Sequence, residues 1–453
     1  MTYTNDVEDG SIETPPPSFF FQKKKDGTAS GVFIPALMGA YLASKTAFRL
    51  HPSGVLWRYD PSGVFLPDNR GVGQSVVDLL GDRWQSRHAA ETMVWLATDA
   101  PPLPAPDPRY VNVANGMLDW QTGALLPHAP AHGSITQVPW PWDPSADCPR
   151  LRSTFAHLPE GMMDLIYEIA GYLLVPANNR MKLAVLLHGP ASTGKSTLLD
   201  CLTSLVGAAN TSALTLHDLA GSRFASAELH GKLANICGDL DSGEVTRSDT
   251  FKRLVGGDEI AAERKHGQPF KFTNTAKLVF SANALPPTRD STDAWFTRFL
   301  ILPFLHRPDE IDFSIKAELP RDRDEMTGFL RHAVEGLRRL VERGRFDPPA
   351  VVVEAGREYR AEADSVRSFF GDDEMWALDA SASTARTPAY RRYASWCRIT
   401  NRRPVRDTEF YRRILADGLD LGLGLRMVRG ERQITGARPT GAAHIEIDER
   451  LGF

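Results

Sequence analysis

"LAVLLHGPASTGKSTLLDCLTSLVG" occupies residues 183–207 and carries the strongest local signature in the chain. An apolar strand, Leu183 to Leu187, runs into a loop of Gly189, Pro190, Ala191, Ser192, Thr193 and Gly194, followed by Lys195, Ser196 and Thr197. Apolar residues at helical spacing come next. Every position of the GxxxxGK[ST] pattern is filled, and the strand before it and helix after it are the context that gives the pattern meaning. Gly189 and Gly194 let the backbone wrap a phosphate with its N–H groups pointing inward. The helix N-terminus adds partial positive charge. Lys195 is expected to reach the β and γ phosphates, and the Ser196 hydroxyl to ligate Mg²⁺. Gly189 to Thr197 therefore reads as a nucleoside triphosphate site.

Three stretches downstream bear on what the phosphate is used for. "GKLANICGDLDSGE" (231–244) is a short apolar strand ending in acids. Asp239 is the candidate for holding Mg²⁺ through water, and Asp241, or else Glu244, for positioning the attacking water. "TAKLVFSANALPPT" (275–288) predicts a third strand, Ala276 to Ser281, with Asn283 at its tip as a γ-phosphate sensor or water-orienting group. "DSTDAWFTRFLILPF" (290–304) puts Arg298 at a helix-to-strand junction. An arginine there can act as a finger that offsets transition-state charge, often from a neighbouring subunit. Arg289 is the weaker candidate.

At 453 residues and 42% hydrophobic, the chain is long enough for two or three domains. Its net charge of −4 gives no global attraction to nucleic acid or membrane, so any such binding must be local. Cys148, Cys201, Cys237 and Cys397 form no CxxC pair, which argues against a zinc or disulfide framework and for a reducing cytoplasm. No apolar run approaches the ~20 residues needed to span a bilayer. Residues 1–30 are expected to be a disordered lead-in, acidic and Pro-rich, with "SFFF" (18–21) anchoring its end. Residues 31–158 read as a mixed α+β domain with hairpins at "GVLWRYDPSGVFLPD" (54–68) and "VNVANGMLDWQTGALLPH" (111–128), closed by a linker at "VPWPWDPSADCP" (138–149). Residues 159–350 read as the ATPase domain, opening with a helix over 159–175. Residues 360–453 form a helix-rich part. Between Arg386 and Arg438 it has 13 arginines, no lysine and five acids, a local charge of +8.

The co-linear set of the phosphate loop, "GKLANICGDLD", "FKRLVGGDEIAAERKHGQPFKF", "AKLVFSANALP" and "DAWFTRFLILPF" resembles the superfamily 3 helicases, in particular the phage and plasmid primase-helicase family. The resemblance extends upstream through "NVANGMLDWQTGALLPH", "ADCP" and "EIAGYLLVP", and weakens beyond about residue 360. It implies an α/β P-loop NTPase core of AAA+ type, a ring of identical chains (a homo-hexamer) with ATP at the subunit interfaces, and translocation on single-stranded DNA at a fork or origin. It also implies a C-terminal winged-helix domain. Lys195 and Ser196 match the family's phosphate loop, Asp239 its acidic strand end, Asn283 its sensor and Arg298 its finger. Many members have two adjacent acids at the second motif. This chain has Asp239, Leu240 and Asp241, which leaves the water-activating residue open. No second set of paired catalytic carboxylates is evident, so priming is expected from a separate primase or replication-initiation partner.

In the family, a hairpin between the second and third strand motifs points a Lys and a His into the ring's channel. Arg264, Lys265 and His266 lie in that interval, before Gly267, and are the DNA-contact candidates. Contacts of this kind go to phosphate and sugar and are sequence-independent. "TPAYRRYASWCRITNRRPVRDTEFYRRILADG" (387–418) reads as two helices with basic faces, and "GLRMVRGERQITGARP" (424–439) as a wing hairpin. The leading reading is an ATP-driven replicative DNA helicase of a mobile element. One alternative is a replication-initiation or DNA-binding assembly factor in which ATP switches oligomerisation without processive unwinding. A small-molecule P-loop kinase is a third, disfavoured by the large flanking domains and the absence of a lid-like arginine cluster.

Overall fold

The computed structural model describes residues 14–68, 70–176, 181–221, 223–238, 240, 248–263, 269–286, 288, 293–308, 312, 314–400, 402, 404–417, 421–428 and 430–440. It is a mixed α/β structure organised around a five-stranded parallel sheet. The strands are β1 (Ala184–His188), β2 (Thr211–Ser212), β3 (Ala234–Cys237), β4 (Lys277–Ala282) and β5 (Phe299–Pro303). Their order across the sheet is β2-β3-β4-β1-β5, and every pairing is parallel.

The strands read as unbroken apolar runs because both faces are covered. Their side chains alternate between two cores, as a period of two requires. Val185, Leu187, Val279, Leu300 and Leu302 face one core, together with the helices Met162–Leu174, Lys195–Val206 and Arg323–Arg343. Ala184, Leu186, Leu278, Phe280, Phe299 and Ile301 face the other, with Phe251 of the helix Asp249–Gly256 and Tyr359 of the helix Ala350–Ala363. The first layer is tight enough to exclude a methyl group. A Cβ at Gly171 would lie 2.1 Å from the Ala333 carbonyl oxygen, and one at Gly336 2.5 Å from that of Tyr167. The helix expected over 159–175 is thus present as Met162–Leu174, its position fixed by this contact.

Register then positions the site. Ala282 and Pro303 both lie beside His188, so the carboxyl ends of β4, β1 and β5 are level. The chain leaves β1 towards β2 on one side and crosses to β5 on the other, which makes β1 the switch point where open α/β sheets bind ligands.

Both expected N-terminal hairpins form. Tyr59 pairs with Phe65, and Val113 with Gly116 around a two-residue turn. The expected lead-in differs from what is found. Of residues 1–30, the first thirteen lie outside the described residues. Pro17–Phe20 is a 3-10 turn, and Phe21–Lys23 pairs with Ala29–Phe33. Phe20 and Phe21 are buried, so aromatic burial outweighs the disorder-prone composition around it. The stretch 138–149 is irregular, as its prolines demand, but not loose. Trp142 is buried, and the Trp140 indole donates to the Ser204 carbonyl of the helix Lys195–Val206 at 2.7 Å. The C-terminal part is less helical than its composition suggests. A helix, Ser365–Phe370, is followed by the strand Trp376–Ala385, helices Arg386–Ile399 and Asp407–Asp417, and strands Gly424–Val428 and Glu431–Pro439. The last strand lies between the other two in an antiparallel sheet. No helix among the described residues is long and apolar enough to cross a membrane.

Candidate nucleotide-binding site

The GxxxxGKS loop leaves β1 at the level carboxyl edge. Gly189 has φ +148° and is wedged between two strand ends. Its N–H points at the Ala282 carbonyl at 3.3 Å, and a Cβ there would meet the Phe304 carbonyl oxygen at 2.1 Å. Only glycine fits. Gly194, at φ +91°, opens the twelve-residue helix Lys195–Val206. Between them Ser192 adopts a left-handed φ of +65°, sparsely populated for a residue with a side chain. Pro190, Ala191 and Ser192 are exposed along the outside of the loop, whereas Thr193 is buried and its hydroxyl donates to the Pro190 carbonyl at 3.0 Å.

Lys195 is only 5% exposed. Its ammonium donates to the carbonyls of Gly189 and Pro190, both at 2.6 Å. The cation therefore sits inside the turn of the loop, at the N-terminus of a helix whose free N–H groups and dipole favour an anion. Ser196 is exposed one residue further on and Thr197 half-buried, so the Ser196 hydroxyl is free to face a bound group. Two side chains that the sequence did not flag brace the loop from outside. The His157 ring nitrogen lies 3.2 Å from the Thr193 carbonyl oxygen, and Arg307 Nε donates to the Ala191 carbonyl at 3.2 Å. Neither belongs to a recognisable local pattern. His157 comes from the turn after the helix Pro149–Thr154, and Arg307 from the segment after β5.

Asn283 follows directly on β4 and is exposed beside the start of the loop, where the strand reading placed it. Arg298 is at the other end of the sheet. It precedes β5, and its carbonyl accepts from the N–H of Ala184, the first residue of β1, at 2.7 Å. Five residues of strand at about 3.3 Å each put it roughly 15 Å below the carboxyl edge. Its Nε is buried and has no hydrogen-bond partner among the described residues. Asp239, Asp241 and Arg289 lie outside the described residues. Next to them, Leu240 N–H donates to the Ser281 carbonyl at 2.8 Å, which continues the β3–β4 pairing beyond Cys237. Arg264, Lys265 and His266 also lie outside. The strands flanking them, Glu259–Glu263 and Pro269–Thr273, pair antiparallel from Glu259 with Thr273 to Glu263 with Pro269, as the hairpin reading expects.

One cluster away from the loop has metal-ligand chemistry. Asp147, Cys148 and His332 bring one ligand atom each within 4.8 Å of one another. Their donors are engaged otherwise. The Asp147 carboxylate takes the Arg152 guanidinium at 2.6 Å and His332 at 2.8 Å, which hold it well below the usual carboxylate range. Burial pushes the Cys148 thiol up to about 11, and its sulfur lies 3.6 Å from the Tyr167 hydroxyl. The cluster is an ion-pair network tying residue 147 to the helix Arg323–Arg343.

Two family models match the chain. Residues 187–298, which include the loop, Asn283 and Arg298, match a family of unknown function, DUF5906. Residues 80–157 match a model described as D5 N terminal like. That second match falls on the stretch that the primase-helicase resemblance places ahead of the motor, and it fits that family. Among solved structures, the A form apo structure of the NrS-1 C-terminal region is 13% identical, with a TM-score of 0.47 over 88% of this chain and 98% of that one. An apo structure of NrS-1 residues 305–718 is 14% identical, with a TM-score of 0.45 over 88% and 98%.

Proposed function

We propose that the chain is an ATP-dependent DNA helicase or translocase that serves the replication of a phage, prophage or plasmid, working as a ring of identical subunits, expected to be a hexamer. The observation that carries this reading is the division of charged and polar groups between the two ends of one sheet. Lys195 and Asn283 stand at the carboxyl edge. Arg298 stands at the opposite edge and cannot reach the loop of its own subunit. Such a division is useful when nucleotide lies between subunits and each finger serves its neighbour's site. The strand order, with β4 between β1 and β3, supports an AAA+-like core. The D5 N-terminal-like match supports a place in phage replication.

In this mechanism Lys195 exchanges the Gly189 and Pro190 carbonyls for β- and γ-phosphate oxygens. Ser196 and Asp239 would hold Mg²⁺, which would supply neutralisation of phosphate charge. Asn283 orients water or senses the γ-phosphate, and Asp241 or Glu244 activates that water. The neighbour's Arg298 offsets the charge that develops in the transition state. DNA contacts fall to Lys265 and His266, with Arg264 beside them. The hairpin that carries them is built for a firm base. Ile260, Ala262 and Phe272 are buried, and the His230 ring packs edge-on to Phe270 and Phe272 at 5.2 Å. His230 in turn meets His51 of the N-terminal region at 5.2 Å.

The C-terminal order of helix, strand, two helices and a two-stranded hairpin supports the winged-helix reading. The charge count overstates what it offers to DNA, because several arginines are engaged internally. Arg413 pairs with Asp364 and Glu409, both at 3.0 Å, and Arg386 lies 3.7 Å over the Tyr411 ring. Arg391, Arg398, Arg406, Arg426 and Arg432 are exposed.

The paired substitution Lys265→Ala and His266→Ala tests the channel assignment. Hydrolysis without DNA should stay within about twofold of the parent, while unwinding of a fork should fall by roughly a hundredfold or more, because contacts used only in translocation are lost. A double variant that unwinds at the parental rate removes the hairpin from the mechanism.

A further inference from the structure

The buried aromatic cluster on the second face of the sheet contains one polar junction. Tyr359, on the helix Ala350–Ala363, is 2% exposed. Its hydroxyl donates to the Pro286 carbonyl at 3.0 Å and accepts from the Trp295 indole N–H at 3.3 Å. Pro286 is three residues past Asn283 on the turn that leaves β4. Trp295 is fully buried in the short helix Asp293–Phe296, and its carbonyl accepts from the backbone N–H of Arg298 at 3.1 Å. One chain of hydrogen bonds therefore runs from the Asn283 turn, through Tyr359 and Trp295, to the backbone of Arg298.

The packing around it makes this connection stiff. Phe299 stacks on Phe251 with centroids 5.0 Å apart, and stands edge-on to Trp295 at 5.1 Å and to Tyr359 at 6.0 Å. Phe296 meets the Tyr359 ring at 5.6 Å. Arg298, whose Nε has no hydrogen-bond partner among the described residues, is thus placed by the backbone and rings on either side of it. A phenylalanine at 359 would fill the same space without burying a hydroxyl. The hydroxyl, 64 and 73 residues further along the chain, instead bridges the Pro286 turn to the Trp295 helix, both of which lead to groups assigned to hydrolysis. Burial pushes the Tyr359 phenol up to about 12, so it stays a donor at neutral pH. The same helix ends at Asp364, which is also the N-cap of the next helix, Ser365–Phe370, in the C-terminal part.

We propose that Tyr359 is a positioning residue that links the Asn283 turn of a subunit to the Arg298 it presents to its neighbour, so that the nucleotide state at one site sets the finger at the next. This rests on the reading of Asn283 and Arg298 given above. Closure of the turn on a γ-phosphate moves Pro286, and the Tyr359 hydroxyl passes the displacement to Trp295 and Arg298.

Tyr359→Phe keeps the rings and removes only the hydroxyl. Trp295→Phe breaks the same link from the other side and serves if the first variant folds poorly. In steady-state hydrolysis by the assembled protein, each should lower kcat roughly tenfold with KM within about twofold, because binding is untouched and only the finger's placement changes. The double variant should be no slower than about twofold below either single one, as expected for two groups acting through one bond. Parental kcat in Tyr359→Phe and Trp295→Phe, with Arg298→Ala inactive, reduces the junction to a structural staple and overturns the proposal. Parental kcat in Arg298→Ala overturns the finger reading instead, and the proposal falls with it. A lower melting temperature in either single variant, with kcat unchanged, also overturns it.

Discussion

Lys195→Ala should reduce ATP hydrolysis by roughly 10²–10³-fold or more, the range for removing a preorganised charge aimed at the transferring phosphoryl group. The side chain is positioned for that role before nucleotide arrives. It is almost fully buried, and its ammonium is held by the Gly189 and Pro190 carbonyls at the mouth of the loop. Truncation removes the charge and leaves two carbonyls without that donor. The stability cost should be modest, about 1–3 kcal/mol, because two uncharged acceptors lose one donor. Phosphate release and a thermal melt measured on the same preparation separate the effects. Hydrolysis at the parental rate by a folded Lys195→Ala protein would remove the loop from the chemistry.

Arg298→Ala should be similarly severe, roughly 10³-fold or more in kcat, the effect of an arginine finger. The geometry adds a test that an ordinary active-site arginine would not pass. Arg298 is at the amino edge of the sheet and the loop at the carboxyl edge, so the two serve different sites. Arg298→Ala subunits retain a sound loop, and Lys195→Ala subunits retain a sound finger. Mixed in one ring, they form interfaces that contain both. Hydrolysis should recover to a measurable fraction of the parent in the mixture and in neither variant alone. If mixed assemblies verified by mass stay inactive, Arg298 does not act across an interface.

The elements legible from the chain were those with a strong local signature. The loop from Gly189 to Ser196 is written in consecutive residues, and β1, β3, β4 and β5 are apolar runs with no other plausible use. Turns at Ala114–Asn115 and around Gly430 announce hairpins, and both are present. The strand Trp376–Ala385 was not legible. Its sequence, "WALDASASTA", is mostly small and polar and lacks the alternation that marks a strand, and it is held by pairing with Glu431–Pro439 fifty residues away. The aromatic anchor at Phe20 and Phe21 was legible, but the pairing of Phe21–Lys23 with Ala29–Phe33 was hidden for the opposite reason, because acidic and proline-rich neighbours dilute the few residues whose burial decides the outcome.

For the site, position along a strand was readable and distance across the fold was not. Asn283 falls at the strand tip because β4 ends where its apolar run ends. That Arg298 lies at the far edge follows from the parallel pairing of β5 with β1, which no local pattern states. His157, Arg307 and the Tyr359–Trp295 junction are contacts between segments as much as 116 residues apart, and each side chain is unremarkable in its own neighbourhood.

Strand displacement on a forked duplex with a single-stranded tail, followed together with the mass of the assembly, distinguishes a ring motor from an ATP-driven switch. Displacement is expected with ATP and Mg²⁺, none with a non-hydrolysable analogue, none with Lys195→Ala, and a ring mass that is an integral multiple of the chain. An assembly that hydrolyses ATP and binds the fork, yet leaves every duplex intact across tail polarities and lengths, would contradict it. That outcome would make the protein an ATP-switched assembly factor instead of a motor.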